Sequence, residues 1–268
     1  DKSAREAESI WKAMPFIIAY WVAGLAVIFS NAGILRKVPC PACLTAWHMA
    51  CSSILVHLLH VLRPQLFITG DAKLGRAVIL KRILPIAVMF ALTLGIGNRA
   101  YVTLSVAFIQ MVKASHPVLA YMISCILGIE ALKGSKLQAT FVVTVGVMLS
   151  VTGELHFDPV GFAFQAFGSL TECSRVVLIG ALLSSQGLRL DPLTALSYYA
   201  PLAFVFLVPL AFALEVPTSA NFGAFWQQIE TEIGFLWLLA NGVMAFCLNL
   251  AVVGLIARTD PVIYVVVG

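Results

Sequence analysis

Long apolar runs, interrupted by polar residues at helical spacing, repeat along the whole chain. The apolar positions recur every three to four residues, which predicts helices rather than strands. Most runs approach the length of about 20 residues that a helix needs to cross the hydrocarbon core of a bilayer. The predicted spans lie near residues 14–34, 44–62, 83–98, 101–129, 137–153, 159–185, 192–214 and 233–257.

A further apolar run begins near residue 260 and continues to the last residue, Gly268. It is too short to cross a bilayer. We therefore expect eight full spans and part of a ninth, with the remainder of that helix beyond Gly268. The chain begins with Asp1 rather than Met, so it is expected to be a trimmed form whose leader, if any, is not visible.

The composition agrees with a membrane protein. Hydrophobic residues make up 60% of the 268 residues and charged residues 11%, whereas about 25% of a soluble domain is charged. A single soluble core could not bury this much apolar surface, because such cores stop growing at roughly 250–300 residues. The pattern predicts an all-α membrane protein in a lipid bilayer and excludes a soluble enzyme.

The basic residues predict the orientation of the spans. With the N-terminus in the cytosol, 12 of the 17 Lys and Arg residues fall in cytosolic segments and 3 on the opposite side, as the positive-inside rule requires. The net charge of +4 therefore reflects topology and gives no reason to expect a nucleic-acid partner. The two basic residues that remain, Lys113 and Arg175, both fall inside predicted spans.

A cation in the middle of a span costs about 2.5–3.5 kcal/mol on insertion scales, so each needs a reason to be there. Lys113 lies more than a full helical turn from either end of its predicted span, which argues against snorkelling to the interface. Pro117 follows it and frees a backbone carbonyl one turn earlier. Helical spacing puts Lys113 on a polar stripe that suggests a cavity, with Thr103, Gln110, Tyr121 and Ser124.

Arg175 has an acidic neighbour, Glu172, three residues earlier on the same predicted helix. Two interpretations stay open. The two side chains could form a buried ion pair that satisfies only itself. Alternatively, Arg175 could donate in a bidentate manner to an anionic group such as phosphate, with Glu172 holding it or exchanging with the substrate. Two cations against one acid leave a positive cavity, which suits an anion.

Several motifs do not support a cofactor or a metal. The Cys40–Cys43 CxxC lacks the second pair of ligands that zinc needs, and His57 and His60 have no carboxylate or Cys cluster beside them. The GxGxxA match at Gly95–Ala100 follows a predicted span instead of a strand. We therefore expect neither a cofactor nor a metal. Tyr198 and Tyr199 lie within a span, where they could face a substrate or pack between helices.

Several segments in order resemble the triose-phosphate translocator and nucleotide-sugar transporter group of the drug/metabolite transporter superfamily. The matching segments are Asn98–Pro117, Gly153–Phe162, Arg175–Leu178, Leu190–Thr194 and Tyr198–Pro201. The resemblance implies an alternating-access antiporter of ten helices in two inverted halves of five. Here the halves would be residues 1–153 and 154–268, the second one truncated within its ninth helix.

The resemblance also implies the site. The group's Lys of the fourth helix and Arg of the sixth helix correspond to Lys113 and Arg175, and the substrate-binding set is completed by Asn98, Gln110, Glu172, Tyr198 and Tyr199. The expected substrate is a small phosphorylated anion. GDP-mannose is disfavoured, because Tyr198–Pro201 reads Tyr-Tyr-Ala-Pro where that branch has Tyr-Asn-Asn.

The predicted function is exchange of a phosphorylated sugar, triose or nucleotide sugar for inorganic phosphate or a nucleoside monophosphate across an organelle membrane. A Golgi or ER membrane is favoured, with the plastid envelope as the alternative, and both a monomer and a homodimer are compatible with the sequence. Other functions stay open: a different solute exporter of the same superfamily, or a membrane-embedded enzyme. An enzyme would need a cluster of acids or His at one membrane face, which the sequence does not display.

Overall fold

The computed structural model describes residues 2–69, 74–152, 158–184, 188–215, 227, 229–259 and 264–266. Within these residues every regular element is helical, which confirms the all-α prediction. The principal helices are α1 (Lys2–Lys37), α2 (Pro41–Leu62), α3 (Leu84–Thr103), α4 (Val106–Lys113), α5 (His116–Ile126), α6 (Gly134–Thr152), α7 (Pro159–Leu183), α8 (Pro192–Leu214) and α9 (Phe235–Arg258).

Shorter helical pieces complete the chain. A 3-10 turn at Pro64–Leu66 follows α2, and a helical turn at Arg76–Val78 continues through the π-helical turn Ile79–Ile83 into α3. Residues 264–266 are helical as well, inside the predicted ninth span, whose start at residue 260 lies outside the described residues. Residues 154–157, between the predicted spans 137–153 and 159–185, and residues 216–226, between the spans 192–214 and 233–257, also lie outside them.

Six helical segments among the described residues are long and apolar enough to cross a membrane. They are Met14–Lys37, Pro41–Leu62, Arg76–Gly97, Pro159–Leu183, Pro192–Leu214 and Phe235–Arg258. A seventh apolar stretch, Lys136–Leu149 within α6, is shorter. The chain is thus a multi-pass membrane protein, because apolar helices of this length have no other suitable solvent.

The fourth predicted span, 101–129, is not one continuous helix. Helix α3 runs through the predicted connection at residues 99–100 as far as Thr103, and the rest of the span divides into α4 and α5. The break lies at residues 114–115, immediately before the first turn of α5, which contains Pro117. Proline lacks an N–H group and its ring clashes with the preceding turn, so it is tolerated at the start of a helix but not within one.

This break corrects the polar stripe that the sequence predicted. Tyr121 lies on α5, where its hydroxyl accepts the backbone N–H of Lys133 at 2.8 Å. Thr103 lies at the end of α3 and its hydroxyl donates to the carboxylate of Asp158, which precedes α7. Of the predicted stripe, Gln110 and Lys113 remain together on α4.

Helices from the first part of the chain pack against helices from the last part. Helix α3 lies along α7, α2 along α8 and α1 along α9, and these are the three most extensive helix–helix contacts. Small residues allow close approach, as is common between membrane helices. A Cβ atom on Gly168 of α7 would lie 3.3 Å from the Cα atom of Gly97 on α3.

Gly242 provides a test of this packing. A Cβ atom at this position of α9 would collide with the Cys51 side chain and lie 3.1 Å from Trp47 Nε1, both on α2. We expect Gly242→Ala to destabilise the protein by about 1–3 kcal/mol through overpacking, seen as a lower melting temperature in detergent. Gly33→Ala is the control, because nothing lies within 4 Å of its built Cβ atom. An equal effect of the two substitutions would contradict the α2–α9 contact.

Contacts between helix ends join regions that the predicted spans place on the same side of the membrane. The Glu215 carboxylate, after α8, accepts the backbone N–H groups of Ala42 and Cys43 at 2.6 and 2.8 Å, at the start of α2. Both regions were predicted on the non-cytosolic side. Asp191, before α8, accepts the N–H and hydroxyl of Thr69 at 2.9 and 2.7 Å, and both of these regions were predicted to be cytosolic.

Asp191 also caps its own helix, accepting from the backbone N–H and the hydroxyl of Thr194 at 3.0 and 2.7 Å. Burial raises the pKa of this carboxyl, but the hydrogen bonds from Thr194 and Thr69 outweigh burial and the net pKa is lowered. A lowered pKa in the folded state stabilises the protein at neutral pH, and this stabilisation is lost as the pH falls through that pKa.

We therefore expect Asp191→Asn to lower the melting temperature at pH 7 by roughly 2–4 °C, the effect of about 1 kcal/mol at a partly exposed site. The difference from the wild type should shrink below a pH of about 4, where the carboxyl of the wild type becomes protonated. A difference that stays the same from pH 7 to about pH 2, well below the usual pKa of an Asp carboxyl, would show that the charge of Asp191 is not the cause.

Candidate functional site

A cavity of about 440 Å³ opens where α4 ends and α5 begins. The helix break positions its polar residues, because Lys113 is the last residue of α4 and His116 the first residue of α5. Helices α1 and α7 and the segment 264–266 complete its wall. The lining residues are Tyr20, Gln110, Lys113, Ala114, His116, Pro117, Glu172, Cys173, Val176, Tyr264, Val265 and Val266.

Opposite charges meet in this cavity. Lys113 Nζ lies 3.6 Å from Glu172 Oε2, and the two side chains are 33% and 31% exposed. Sequence spacing pointed instead to an ion pair between Glu172 and Arg175. The structure favours Lys113 because the helix break turns the end of α4 toward α7. The pair is partly accessible, so a small polar molecule in the cavity could reach both charges.

Hydrogen bonds fix the start of α5 against α7. His116 Nε2 and Ser169 Oγ lie 3.0 Å apart, and Gln165 Nε2 donates to the same oxygen at 3.1 Å. The Cys173 thiol donates to the backbone carbonyl of His116 at 3.5 Å. These contacts hold α5, and hence the residues at its start, at a fixed distance from Glu172.

Arg175 lies one turn beyond Glu172 on α7, behind the cavity wall, and is not among the lining residues. Its Cζ atom stands 5.1 Å from the centroid of the Phe90 ring, and the Tyr199 hydroxyl is within hydrogen-bonding range of the guanidinium. Its buried Nε atom has no hydrogen-bond partner among the described residues. A buried guanidinium N–H without a partner is costly, so Arg175 retains capacity to bind an acceptor.

The other predicted site residues lie at different depths. Gln110 lines the cavity beside Lys113. Tyr199 is buried next to Arg175 and packs edge-on against Phe90, with ring centroids 6.1 Å apart. Tyr198 packs against the apolar core and does not line the cavity. Asn98 belongs to α3, but its side chain lies outside the described residues.

Three aromatic residues of the lining were not predicted as site residues: Tyr20, His116 and Tyr264. The signal for His116 was present in the sequence, because it lies between Lys113 and Pro117 where the helix breaks. Tyr20 and Tyr264 carry no local signal. They come from opposite ends of the chain and meet through their rings, whose centroids are 5.7 Å apart.

A second cavity, of about 300 Å³, lies between α2, α8 and α9. Its lining is hydrophobic and includes Val38, Trp47, Phe204, Val208, Phe212 and Leu238. No charged side chain lines it within the part of the chain that the structure describes. An anion leaving water needs fixed positive charge or hydrogen-bond donors, so the cavity beside Lys113 is the candidate for a polar solute.

A comparison with protein families gives the context of this site. The sequence model of the Triose-phosphate Transporter family matches residues 12–268. The chain belongs to this family. The match covers every helix that lines the polar cavity and extends to the end of the chain.

Curated relatives agree with this membership. A "probable sugar phosphate/phosphate translocator" of Arabidopsis thaliana is 35% identical over 94% of this chain and 71% of its own length. Another protein of that name and organism is 33% identical over 94% of this chain and 70% of its own length. UDP-galactose transporter 1 of Arabidopsis thaliana is 26% identical over 98% of this chain and 77% of its own length.

Proposed function

We propose that this member of the Triose-phosphate Transporter family exchanges a phosphorylated sugar for inorganic phosphate, with the cavity beside Lys113 as its substrate site. The observation that carries the proposal is a partly exposed Lys in a cavity at a helix break, within a bundle of apolar helices. Broken helices near the middle of the membrane are where transporters bind their substrates. The most similar relatives named above are sugar phosphate/phosphate translocators.

Charge supports an anionic substrate. Lys113 carries one positive charge at the cavity surface, and Arg175 adds a second one immediately behind it. Lys can bind phosphate as a point charge, and Arg can bind it through two parallel N–H groups. Because Tyr264 lines the cavity and is close enough to Arg175 to interact with its charge, we propose that a shift of this ring brings Arg175 into contact with the bound anion.

Exchange by alternating access would follow from two related halves. Suppose that α1, α2 and α3 correspond to α7, α8 and α9, respectively. The contact between α3 and α7 then has its counterpart in the contact between α9 and α1. In the same way, the contact between α2 and α9 has its counterpart in the contact between α8 and α3. The contact of α5 with α7 would repeat as that of the ninth helix with α1, where Tyr264 meets Tyr20. This repetition supports halves at residues 1–153 and 154–268.

The proposed orientation has a cytosolic N-terminus in a Golgi or ER membrane, with the plastid envelope as the alternative. It is supported by the excess of Lys and Arg in the first turns of α1, between α2 and α3 and around the start of α6. A protease-protection or tag-accessibility assay in isolated organelles would test both the side and the membrane.

The substrate can be tested with the purified protein in proteoliposomes loaded with inorganic phosphate. Uptake of labelled phosphate would be measured against competing triose phosphates, hexose phosphates, UDP-galactose and UMP. The proposal predicts competition by sugar phosphates, with the solutes recovered chemically unchanged. Competition by UDP-galactose and UMP alone would favour the nucleotide-sugar alternative. Chemical conversion of the substrate would point to an enzyme.

A further inference from the structure

Glu172 is the one acidic residue that lines the polar cavity within the described residues, and it lies against the cation that the proposed function needs. An acid at this place opposes the binding of an anion, because like charges repel strongly away from bulk water. A site that served only to bind anions would gain affinity from a neutral residue here. The presence of Glu172 therefore requires a reason.

The geometry gives that reason. Glu172 is separated from Arg175 by one helical turn on α7, yet its carboxylate forms the ion pair with Lys113 on α4. The two charged atoms are 3.6 Å apart, and a third of each side chain is exposed. This contact is looser than the ion pair of Lys136 with Glu130, where the corresponding distance is 2.8 Å. A loose and accessible pair can open when a stronger partner arrives.

We propose that Glu172 holds Lys113 while the site is empty, and that the substrate phosphate displaces this carboxylate from Lys113. Glu172 is then a positioning residue that sets the affinity for the anion through competition. This inference rests on the proposed function and adds a role for an acid in an anion site.

Glu172 also changes the charge of the empty site. Lys113 and Glu172 cancel, so Arg175 carries the remaining positive charge around the cavity. Without Glu172 the empty site would carry two uncompensated cations, and its closure inside the membrane would be less favourable. The Lys113–Glu172 pair thus makes it easier for the protein without substrate to change the side of the membrane to which it opens. We therefore expect some uptake of phosphate into vesicles that contain none.

The direct test compares Glu172→Gln with Glu172→Asp in proteoliposomes that exchange inorganic phosphate. Glu172→Gln frees Lys113 and is expected to lower the apparent KM for phosphate by about three- to tenfold, as suits a partly exposed charge pair. It should also reduce the ratio of uptake into empty vesicles to uptake into loaded ones. Glu172→Asp keeps the charge but shortens the side chain by one methylene, so its KM should lie between those of the wild type and Glu172→Gln.

A second measurement does not depend on transport. Bound phosphate raises the melting temperature of the protein in detergent, and at a fixed phosphate concentration this rise is larger when the affinity is higher. This rise should be larger for Glu172→Gln than for the wild type. It should be small for Lys113→Gln. Adding Glu172→Gln to Lys113→Gln should raise it less than Glu172→Gln does in the wild type, because the competition acts through Lys113.

The outcomes distinguish a failure of the competition between Glu172 and phosphate from a failure of the proposed phosphate exchange. If the wild type exchanges phosphate and Glu172→Gln shows an unchanged or higher KM, the competition is overturned and the pair is merely structural. A gain in phosphate affinity from Glu172→Gln that is equally large with and without Lys113 would also overturn it. If the wild type neither binds nor exchanges phosphate, the proposed phosphate exchange fails, and the role of Glu172 fails with it.

Discussion

Replacing Lys113 with Gln is expected to abolish exchange while leaving membrane insertion intact. Gln preserves much of the length and the polarity of the side chain but removes the cation at the cavity surface. A phosphate that leaves water would then lose a charge-assisted contact of about 1.5–3 kcal/mol, or roughly 10- to 150-fold in affinity. Glu172 would remain in the cavity without its partner and would repel the anion further. Initial rates of counterflow at several phosphate concentrations would measure the loss.

Lys136→Gln is the matched control. Lys136 also forms an ion pair with an acid, Glu130, at 2.8 Å, but it lies on α6 away from the cavity. The Lys136→Gln variant has the same type of substitution and loses a similar ion pair, so its rate of phosphate exchange should stay close to that of the wild type. Near-normal activity of Lys113→Gln would remove Lys113 from the site. An equal loss in both variants would show that broken ion pairs, and not the cavity cation, limit transport.

Arg175→Lys is expected to abolish exchange as well, although it keeps the positive charge. The guanidinium is planar: its Cζ atom lies 5.1 Å from the centroid of the Phe90 ring and it is within hydrogen-bonding range of Tyr199, while its Nε atom has no partner among the described residues. A Lys side chain offers no planar fork, so it can neither stack in this way nor donate two parallel hydrogen bonds to phosphate. We expect a loss of at least roughly tenfold in kcat/KM for phosphate.

Arg258→Lys controls for the loss of a stacked guanidinium. Arg258 lies at the end of α9, where its Cζ atom is 3.5 Å from the centroid of the Phe16 ring and Nη1 donates to Gly254 O. It is not part of the cavity. This variant should lose some stability but keep its KM for phosphate. If Arg175→Lys behaves in the same way, with a lower melting temperature and an unchanged KM, Arg175 supports the fold and does not bind substrate.

The sequence was most informative about features that depend on a single segment of the chain, such as the position of a helix. Apolar periodicity located α2, α7, α8 and α9 within a few residues, because each of these helices begins with proline or glycine nearby and runs without a break. The charges inside spans indicated Lys113 and Glu172 as candidate site residues, because an ionised group within an apolar run is costly and needs a partner. Both residues line the polar cavity.

The sequence was less informative where tertiary contacts decide. Pro117 was recognised, but its effect was underestimated: it divides a predicted span and separates Tyr121 from Lys113. The partner of Glu172 was misjudged, because helical spacing describes neighbours on one helix and the actual contact crosses to α4. Tyr20 and Tyr264 could not have been paired in advance, since no local pattern relates the two ends of the chain.

The central claim is that the cavity beside Lys113 exchanges phosphorylated anions, and counterflow tests it most directly. Purified wild-type protein and Lys113→Gln would be reconstituted in liposomes with or without internal inorganic phosphate, and uptake of labelled phosphate would be followed from outside. The account predicts uptake by the wild type that internal phosphate stimulates several-fold, and near-background uptake by Lys113→Gln under both conditions. Uptake by the wild type that is equal in loaded and empty vesicles, or unaffected by loss of Lys113, would contradict it.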